Sequence, residues 1–327
     1  MNSFLSGKRI LVTGGTGFIG SALIYGLLAG GAKVRSLDNN SRGSRSKLGK
    51  AASQVELIEG DIRDVGAVTK AVSGVDCVCH LAAVNGTEYF YSKPELVLEV
   101  AVKGMMNVLD ACISQGVRQL LTASSSEVYQ NPASIPTGET VPLIVPDPLN
   151  PRYSYGGGKI ISELLTLNYG RTHFDRAMVF RPHNVYGPDM GREHVIPQLI
   201  LRMLQCRAAA GGARRFDFPI QGDGLETRAY LFIEDMISGI VTLLNHGQHL
   251  NIYHIGNPVE TTVRDLVAEV AQQLDVDPVI VPGPLQPGSV KRRCPDISKI
   301  HSLGYVPKID LREGLKRTIP WYSSHAS

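Results

Sequence analysis

One tryptophan, five cysteines and no apolar run near membrane-spanning length are what this chain of 327 residues has least of. Each scarcity excludes something. Cys77, Cys79, Cys112, Cys206 and Cys294 are odd in number and scattered, so they form neither a disulfide framework nor the paired CxxC spacing of a zinc site. Cys77 and Cys79 alternate in the apolar run 76–80 as buried strand residues do, and such cysteine usage fits a reducing, cytoplasmic setting. Without about 18 consecutive apolar residues no membrane span is expected, and the first residues lack the apolar core of a signal peptide. Charge of one sign is lacking as well: 33 Lys+Arg stand against 30 Asp+Glu, a net of +3. With no helix-length basic stripe, nucleic acid is not an expected partner. Arg214-Arg215 and Lys291-Arg292-Arg293 read by default as solvated loop charge. His183 and His194 fall in no HxxxH or HExxH spacing, so no metal is expected. A hydrophobic share of 43% excludes disorder, and the 34 Gly and 19 Pro follow no fixed period.

What the chain does have is alternation. Short β-branched runs at 8–13, 33–37, 55–59, 76–80 and 118–123 are separated by helix-length segments such as 19–29 and 96–113, and two later strands are expected at 177–181 and 251–255. Continuous apolar strands between helices predict an α/β fold with a doubly wound parallel sheet covered on both faces. From about Tyr186 the pattern loosens into a Gly- and Arg-containing stretch at 208–224. A helical pattern at 262–274 and a loop at 281–289 with three prolines follow.

The strongest local signal is Thr13-Gly14-Gly15-Thr16-Gly17-Phe18-Ile19-Gly20, directly after the first strand and opening the first helix. In that context a glycine pattern is a dinucleotide fingerprint. Gly14 lets the chain turn, Gly17 admits a pyrophosphate against the backbone, and Gly20 allows close helix packing; the helix N-terminus supplies amides and a favourable dipole. Asp38 ends the second strand, 18 residues after Gly20. A carboxylate there accepts hydrogen bonds from a ribose and repels a 2′-phosphate, which favours NAD over NADP, although Arg42 and Arg45 follow closely. Asp61 ends the third strand, placed either to meet the adenine or to cap a helix. The expected organisation is a Rossmann domain from 1–186 plus about 229–257. A smaller, discontinuous α/β lobe from about 187–228 plus 258–327 packs at the strand ends.

Tyr155 and Lys159 stand four apart at the start of an expected helix, so both side chains share a face. An ammonium beside a phenol lowers the phenol's pKa from about 10, which makes Tyr155 a candidate base or acid at a hydroxyl carbon. About 30 residues upstream, Ser124-Ser125-Ser126-Glu127-Val128-Tyr129 ends the fifth strand. A hydroxyl there can hold the substrate oxygen that Tyr155 deprotonates.

With these motifs in order, the sequence resembles the extended short-chain dehydrogenase/reductases, in their nucleotide-sugar epimerase, dehydratase and decarboxylase branch. The resemblance runs nearly end to end. It takes in His80-Leu81-Ala82-Ala83, Arg181-Pro182-His183-Asn184-Val185-Tyr186-Gly187-Pro188, Gly222-Asp223-Gly224-Leu225-Glu226-Thr227-Arg228 and Arg293-Cys294-Pro295-Asp296-Ile297-Ser298-Lys299. It implies NAD against Gly14, Gly17, Phe18, Ile19, Gly20, Asp38, Asn39, Asp61, Ile62, Leu81, Ala82 and Ala83, with Lys159 on the nicotinamide ribose. It implies Tyr155, Lys159, Ser125 and Glu127 as catalytic residues. Ser126, Asn184, Arg228 and Arg293 would hold a nucleotide-diphosphate sugar, and guanidinium forks suit phosphate. A homodimer through the helices near 96–113 and 155–169 is implied too. The shared chemistry is oxidation of the sugar C4 hydroxyl to a ketone.

The fate of that ketone is open at this stage. Glu127 points past simple 4-epimerisation, which needs no second acid, towards 4,6-dehydration or decarboxylation. The segment Ala101-Val102-Lys103-Gly104-Met105 lacks the Asn and Thr that many 4-epimerases carry there. Pro151-Arg152-Tyr153-Ser154-Tyr155 resembles the decarboxylases, whereas the stretch 140–150 lacks their tryptophan. The triple glycine Gly156–Gly158 suggests either close passage of a bulky sugar group, testable with Gly157→Ala, or local tolerance at a helix start. His183 is expected to contact the sugar or fill the pocket wall. Two rival classes remain: an NADPH-dependent ketosugar reductase, opposed by Asp38, and a non-catalytic NAD or nucleotide-sugar sensor, opposed by the intact Ser125, Tyr155 and Lys159.

Overall fold

A computed structural model describes residues 4–284 and 291–325. Seven parallel strands form one sheet: β1 (Arg9–Thr13), β2 (Lys33–Asp38), β3 (Val55–Glu59), β4 (Cys77–His80), β5 (Gln119–Ala123), β6 (Arg176–Pro182) and β7 (Asn251–Ile255). Their order is β7-β6-β5-β4-β1-β2-β3, the arrangement of a Rossmann sheet. The chain runs outward in opposite directions from β1 and β4, so a crevice opens between their carboxyl ends.

The strands are apolar throughout because both faces are covered. In β1, Ile10 and Val12 face the core with Leu23, Ile24 and Leu27 of helix α1 (Phe18–Ala29). Leu11 between them faces the other way, towards Val68 and Val72 of α2 (Val65–Val72) and Val108 and Leu109 of α3 (Gly104–Ser114). Cys77, Cys79 and Cys112 are buried free thiols in these two layers, as the alternation predicts. Helix α4 (Ser154–His173) carries the Tyr155/Lys159 pair, and α5 (Ile233–His246) packs beside α1. A π turn at Glu99–Lys103 joins the helix Pro94–Leu98 to α3 within the single helical segment expected at 96–113.

The remaining elements gather at the strand ends. Val185–Tyr186 pairs with Leu231–Phe232, and Thr227–Arg228 lies between Thr261–Thr262 and Arg292–Arg293. The stretch 208–224 is more regular than expected: Arg215–Gln221 is a strand paired in parallel with Asp277–Gly283. The first residues of the expected 281–289 loop are therefore strand, and 285–289 lie outside the described residues. The missed signal was period two: Phe216, Phe218 and Ile220 are buried between exposed neighbours. Among the described residues no helix is long and apolar enough to cross a membrane, and no cluster of His, Cys, Asp or Glu is arranged to hold a metal.

Candidate active site

A cavity of about 800 Å³ lies over the carboxyl ends of the central strands, and the candidate catalytic, cofactor-binding and substrate-binding residues implied by the resemblance line it. The glycine turn forms one end. Gly14 has φ +73°, and a Cβ there would lie 2.9 Å from the Ala82 backbone. A Cβ on Gly20 would run into the turn's own Gly14 carbonyl. Helix α1 starts at Gly17 with no side-chain cap and no acid in its first turn, which leaves its leading amides to an anion. Thr13, which sequence reasoning missed, positions the opposite wall. Its Oγ1 lies 2.8 Å from His80 Nδ1 and accepts from the amides of Leu81 and Ala82, each at 3.2 Å. The uncapped amides and the cradle a Cβ would fill fit a dinucleotide diphosphate.

Asp38 accepts from the Thr16 amide and the Asn40 amide, both at 2.9 Å, which fixes its carboxylate at the end of β2. Arg42, set beside it in sequence, turns away to Glu193, so its charge is already answered. Asp61 is pinned by the Arg63 fork and by Asn39, which donates at 3.0 Å. Its hydrogen bonds with Arg63 pull the carboxyl down to about 2. The helix α2 is capped by Asp64, so the capping alternative for Asp61 does not hold.

At the other end β5 runs into Ser124, Ser125 and Ser126. Ser125 Oγ accepts from the Glu127 amide at 3.1 Å and sits beside the Tyr155 phenol, which it draws down against burial. Phe90 stacks on the Tyr155 ring, with centroids 5.1 Å apart. The expected Tyr–Lys coupling needs correction. Lys159 Nζ lies 5.9 Å from the Tyr155 ring centroid and donates to the Ala123 carbonyl at 2.7 Å. Burial pushes the Tyr155 phenol up to about 12, against the opposing pull of Ser125, and the Lys159 charge does not lower it. Burial likewise brings Lys159 down to about 8, with Glu163 holding it up in part.

Glu127 and Arg293 meet as an ion pair in the cavity wall. Burial raises the Glu127 carboxyl, but Arg293, with Arg152 and Arg228 behind it, outweighs this and leaves the carboxyl below its usual range. Arg228 donates to the Thr227 carbonyl at 2.8 Å, and Asn184 donates to the Ala229 carbonyl at 3.1 Å. Thus the two arginines expected at one diphosphate are engaged differently, one with backbone and one with an acid.

The glycines of α4 have protein neighbours. A Cβ on Gly158 would lie 2.8 Å from Ala101 Cβ, and one on Gly156 would lie 2.8 Å from Gln130 Nε2. Gly157 meets only Val145, at an ordinary 3.7 Å, and does not line the cavity. Of the three glycines only Gly156 lines the cavity, so a bulky sugar group passing along this stretch would meet Gly156 and not Gly157. His183 does not line the cavity either: it is buried, unpartnered at both ring nitrogens and edge-on to His254 at 4.6 Å. His194 does line the cavity, at the head of the helix Val195–Ala209.

Behind this wall lies a buried network with no local sequence signal. Arg181 Nε donates to Glu163 at 2.8 Å and its Nη2 at 2.6 Å, while Ser124 donates to the same carboxylate. Arg181 also reaches Tyr129, whose hydroxyl lies 2.6 Å from His254 Nε2. The network braces β5, β6 and α4 beneath the serines.

Residues 10–256 match the model of the NAD dependent epimerase/dehydratase family. The chain is 32% identical over 316 residues to UDP-glucuronic acid decarboxylase 1 of Arabidopsis thaliana, covering 95% of this chain and 69% of that protein. It is 32% identical over 325 residues to a dTDP-glucose 4,6-dehydratase of Streptomyces antibioticus, covering 96% and 92%. Among solved structures, the dTDP-glucose 4,6-dehydratase DesIV of Streptomyces venezuelae, with NAD bound, superposes with a TM-score of 0.84 at 32% identity, covering 97% of each chain.

Proposed function

This chain belongs to the NAD dependent epimerase/dehydratase family, and from that premise we propose that it oxidises C4 of a nucleotide uronate and releases carbon dioxide from the keto acid. It is an NAD-dependent enzyme of this family. The observation that carries decarboxylation is the carboxyl inventory of the cavity. Asp38, Asp61, Asp189 and Glu193 line the cavity away from the serines, and Glu127, paired with Arg293, is the one lining acid beside the serines and Tyr155 among the described residues. Dehydration across C5 and C6 takes a proton from C5 and gives one to the departing hydroxyl, so it asks for an acid and a base together. Ser126, next to Glu127, is no acid. A 4-keto uronate loses carbon dioxide with only the ketone as electron sink.

In this reading Tyr155 takes the O4 proton and Ser125 holds that oxygen as the ketone forms. Bound NAD supplies the hydride acceptor and, later, the donor. Breaking the C5–C6 bond releases carbon dioxide and sends its electron pair into the C4 ketone as an enolate. C5 then takes a proton from water, and Tyr155 returns its proton to O4 as the ketone is reduced. Arg293 and Arg228 bind the anionic donor, Asn184 and Ser126 orient it, and Glu127, held ionised by Arg293, faces the reacting end of the sugar. Lys159 braces the β5 end and binds the nicotinamide ribose. Gly14, Gly17, Phe18, Ile19 and Gly20 take the cofactor diphosphate; Asp38 and Asn39 take its ribose; Asp61 and Ile62 take the adenine; Leu81, Ala82 and Ala83 close the other side. The division into residues 1–186 plus about 229–257 for cofactor, and about 187–228 plus 258–327 for substrate, belongs to the same reading.

A second reading, 4,6-dehydration of a neutral hexose, is favoured by Glu127 itself, a carboxylate that could take the C5 proton. A 4-epimerase would leave Glu127 without a task. The test is incubation with UDP-, GDP-, CDP- and dTDP-sugars, uronates included, with products followed by mass. Loss of carbon dioxide supports the proposal, loss of water the second reading, and unchanged mass with altered stereochemistry an epimerase. NAD binding without turnover of any sugar would leave a sensor.

We also assign a homodimer. Leu98, Ile161 and Leu164 are 40%, 39% and 55% exposed on the packed helices Pro94–Leu98 and α4. An apolar face of this kind suits a second copy, and the molar mass in solution by light scattering tests it. Five free thiols suit a reducing cytoplasm.

A further inference from the structure

The cofactor cleft is spanned by side chains that the chemistry above does not use. The loop after β2 sits on the glycine turn, where the Ser44 amide donates to the Thr16 carbonyl at 3.1 Å. From this loop Arg42 and Lys47 reach a segment 142 to 151 residues away. Arg42 pairs with Glu193, and its guanidinium lies 5.1 Å from the centroid of the Tyr89 ring. Lys47 pairs with the Asp189 carboxylate and donates to the Asp189 carbonyl at 2.6 Å. The far segment is fastened in turn to the helix Leu311–Ser324: Tyr322 donates to the Met190 carbonyl at 2.8 Å, and Arg192 donates to the His325 carbonyl at 2.5 Å. Arg42, Lys47, Asp189, Met190 and Glu193 all line the cavity that the glycine turn lines.

We infer that the pairs Arg42–Glu193 and Lys47–Asp189 form a clasp across the cofactor cleft and that its opening sets the rate at which NAD leaves. This rests on the reading that a hydride leaves the sugar and returns within one catalytic cycle. A cofactor lost while carrying that hydride would strand the keto sugar, so retention through the cycle has chemical value. The residues suit the task. Each pair joins the loop seated on the glycine turn to a segment anchored elsewhere, so the walls of the cleft cannot part there without breaking them. Arg42 adds a contact on Tyr89 from a third element, which restricts the directions in which the clasp can open. These are positioning residues: they act on the cofactor through the walls they hold.

The experiment loads the full-length chain with 1,N6-etheno-NAD and follows its fluorescence during a chase with excess NAD. Arg42→Ala and Glu193→Ala should each speed release about tenfold, equivalent to about 1.4 kcal/mol. The double variant should be no faster than either single one, because one interaction is lost in all three. The charge-swapped Arg42→Glu/Glu193→Arg chain should recover most of the retention, a readout that a general loss of packing would not restore. Lys47→Met tests the second pair independently of the first. Sodium chloride at high concentration should speed release from the wild-type chain, and less so from the double variant, which keeps only Lys47–Asp189. Release unchanged in both Arg42→Ala and Lys47→Met, or strictly additive effects of Arg42→Ala and Glu193→Ala, would overturn the clasp while leaving the catalytic proposal intact. A wild-type chain that retains no NAD would overturn both.

Discussion

Arg293 and Glu127, 166 residues apart in the chain, meet as an ion pair in the wall of the cavity. The contact joins a residue read as a phosphate ligand to one read as a catalytic acid. Arg293 therefore sets the charge state of Glu127, and neither can be altered alone without consequence at the sugar.

Replacing Glu127 with Gln should separate the steps of the reaction. C4 oxidation, which needs Tyr155 and Ser125, should persist as a single-turnover rise in reduced-cofactor absorbance. Overall turnover should fall by about 10²-fold or more, the usual worth of a positioned acid or base. Equal loss of both steps would show that Glu127 acts only through Arg293.

Arg293→Ala should move the acid limb of the kcat profile. Arg293 is the main influence lowering the Glu127 carboxyl against its burial, so without it the carboxyl binds a proton at higher pH. Activity lost on acidification should disappear at higher pH than in the wild type, and KM for the nucleotide sugar should rise. An unmoved acid limb would contradict the coupling.

Tyr155 has the opposite dependence. Burial pushes its phenol up to about 12, so the deprotonated base becomes more populated as pH rises. In the chain loaded with NAD, kcat should climb from neutral to alkaline pH. Tyr155→Phe should lower it by about 10²- to 10⁴-fold and flatten that climb. A pH-independent rate in the wild type would remove Tyr155 as the proton acceptor.

The neighbouring glycines of α4 should respond in opposite directions. Gly158→Ala places a methyl 2.8 Å from Ala101 Cβ between two packed helices, and overpacking of this kind costs about 1–3 kcal/mol. Gly157→Ala meets only Val145 at 3.7 Å, so the better helix propensity of Ala should stabilise by up to about 1 kcal/mol. Urea midpoints of the two variants compare them directly; destabilisation by Gly157→Ala would mean that this surface is covered in solution.

Removing Arg181 tests the network beneath the serines. Its partner Glu163 is 3% exposed, and a buried acid stripped of its partner typically destabilises by about 3–5 kcal/mol. Arg181→Met should approach that cost, while Arg181→Met/Glu163→Leu should lose clearly less than the two single variants summed. Additivity in urea melts would argue against a coupled pair.

Much of this site is legible along the chain because the fold builds it from strand ends. The glycine turn, Asp38, Asp61, Leu81 and Ser125 each follow a β-strand, and parallel strands deliver their carboxyl ends to one edge. Tyr155 and Lys159 share a helix face by their spacing. Their electrostatics were less legible: the side-chain direction that sends Lys159 to the Ala123 carbonyl depends on β5 lying alongside α4. The strand Arg215–Gln221 was hidden because its alternating Phe, Phe and Ile sit among Arg, Asp and Pro, and its partner lies more than 50 residues onward. Glu193 and Asp189 carry no local mark, since their meaning comes from Arg42 and Lys47.

While Asn184, Arg228 and Arg293 came from the family resemblance, sequence by itself determined the alternating α/β order, the NAD-type turn with its acid, and the shared helix face of Tyr155 and Lys159. These are local properties: strand periodicity, a turn that requires a positive φ, and i,i+4 spacing on a helix. Tertiary structure alone decided which charges answer which. Arg293 holds Glu127 ionised, Arg42 faces Glu193 instead of a ribose phosphate, Asp61 is pinned by Arg63, and burial sets the phenol of Tyr155. Charge pairing and desolvation depend on distances across the fold, and those distances exist only once the sheet, its helices and the elements at the strand ends have packed together.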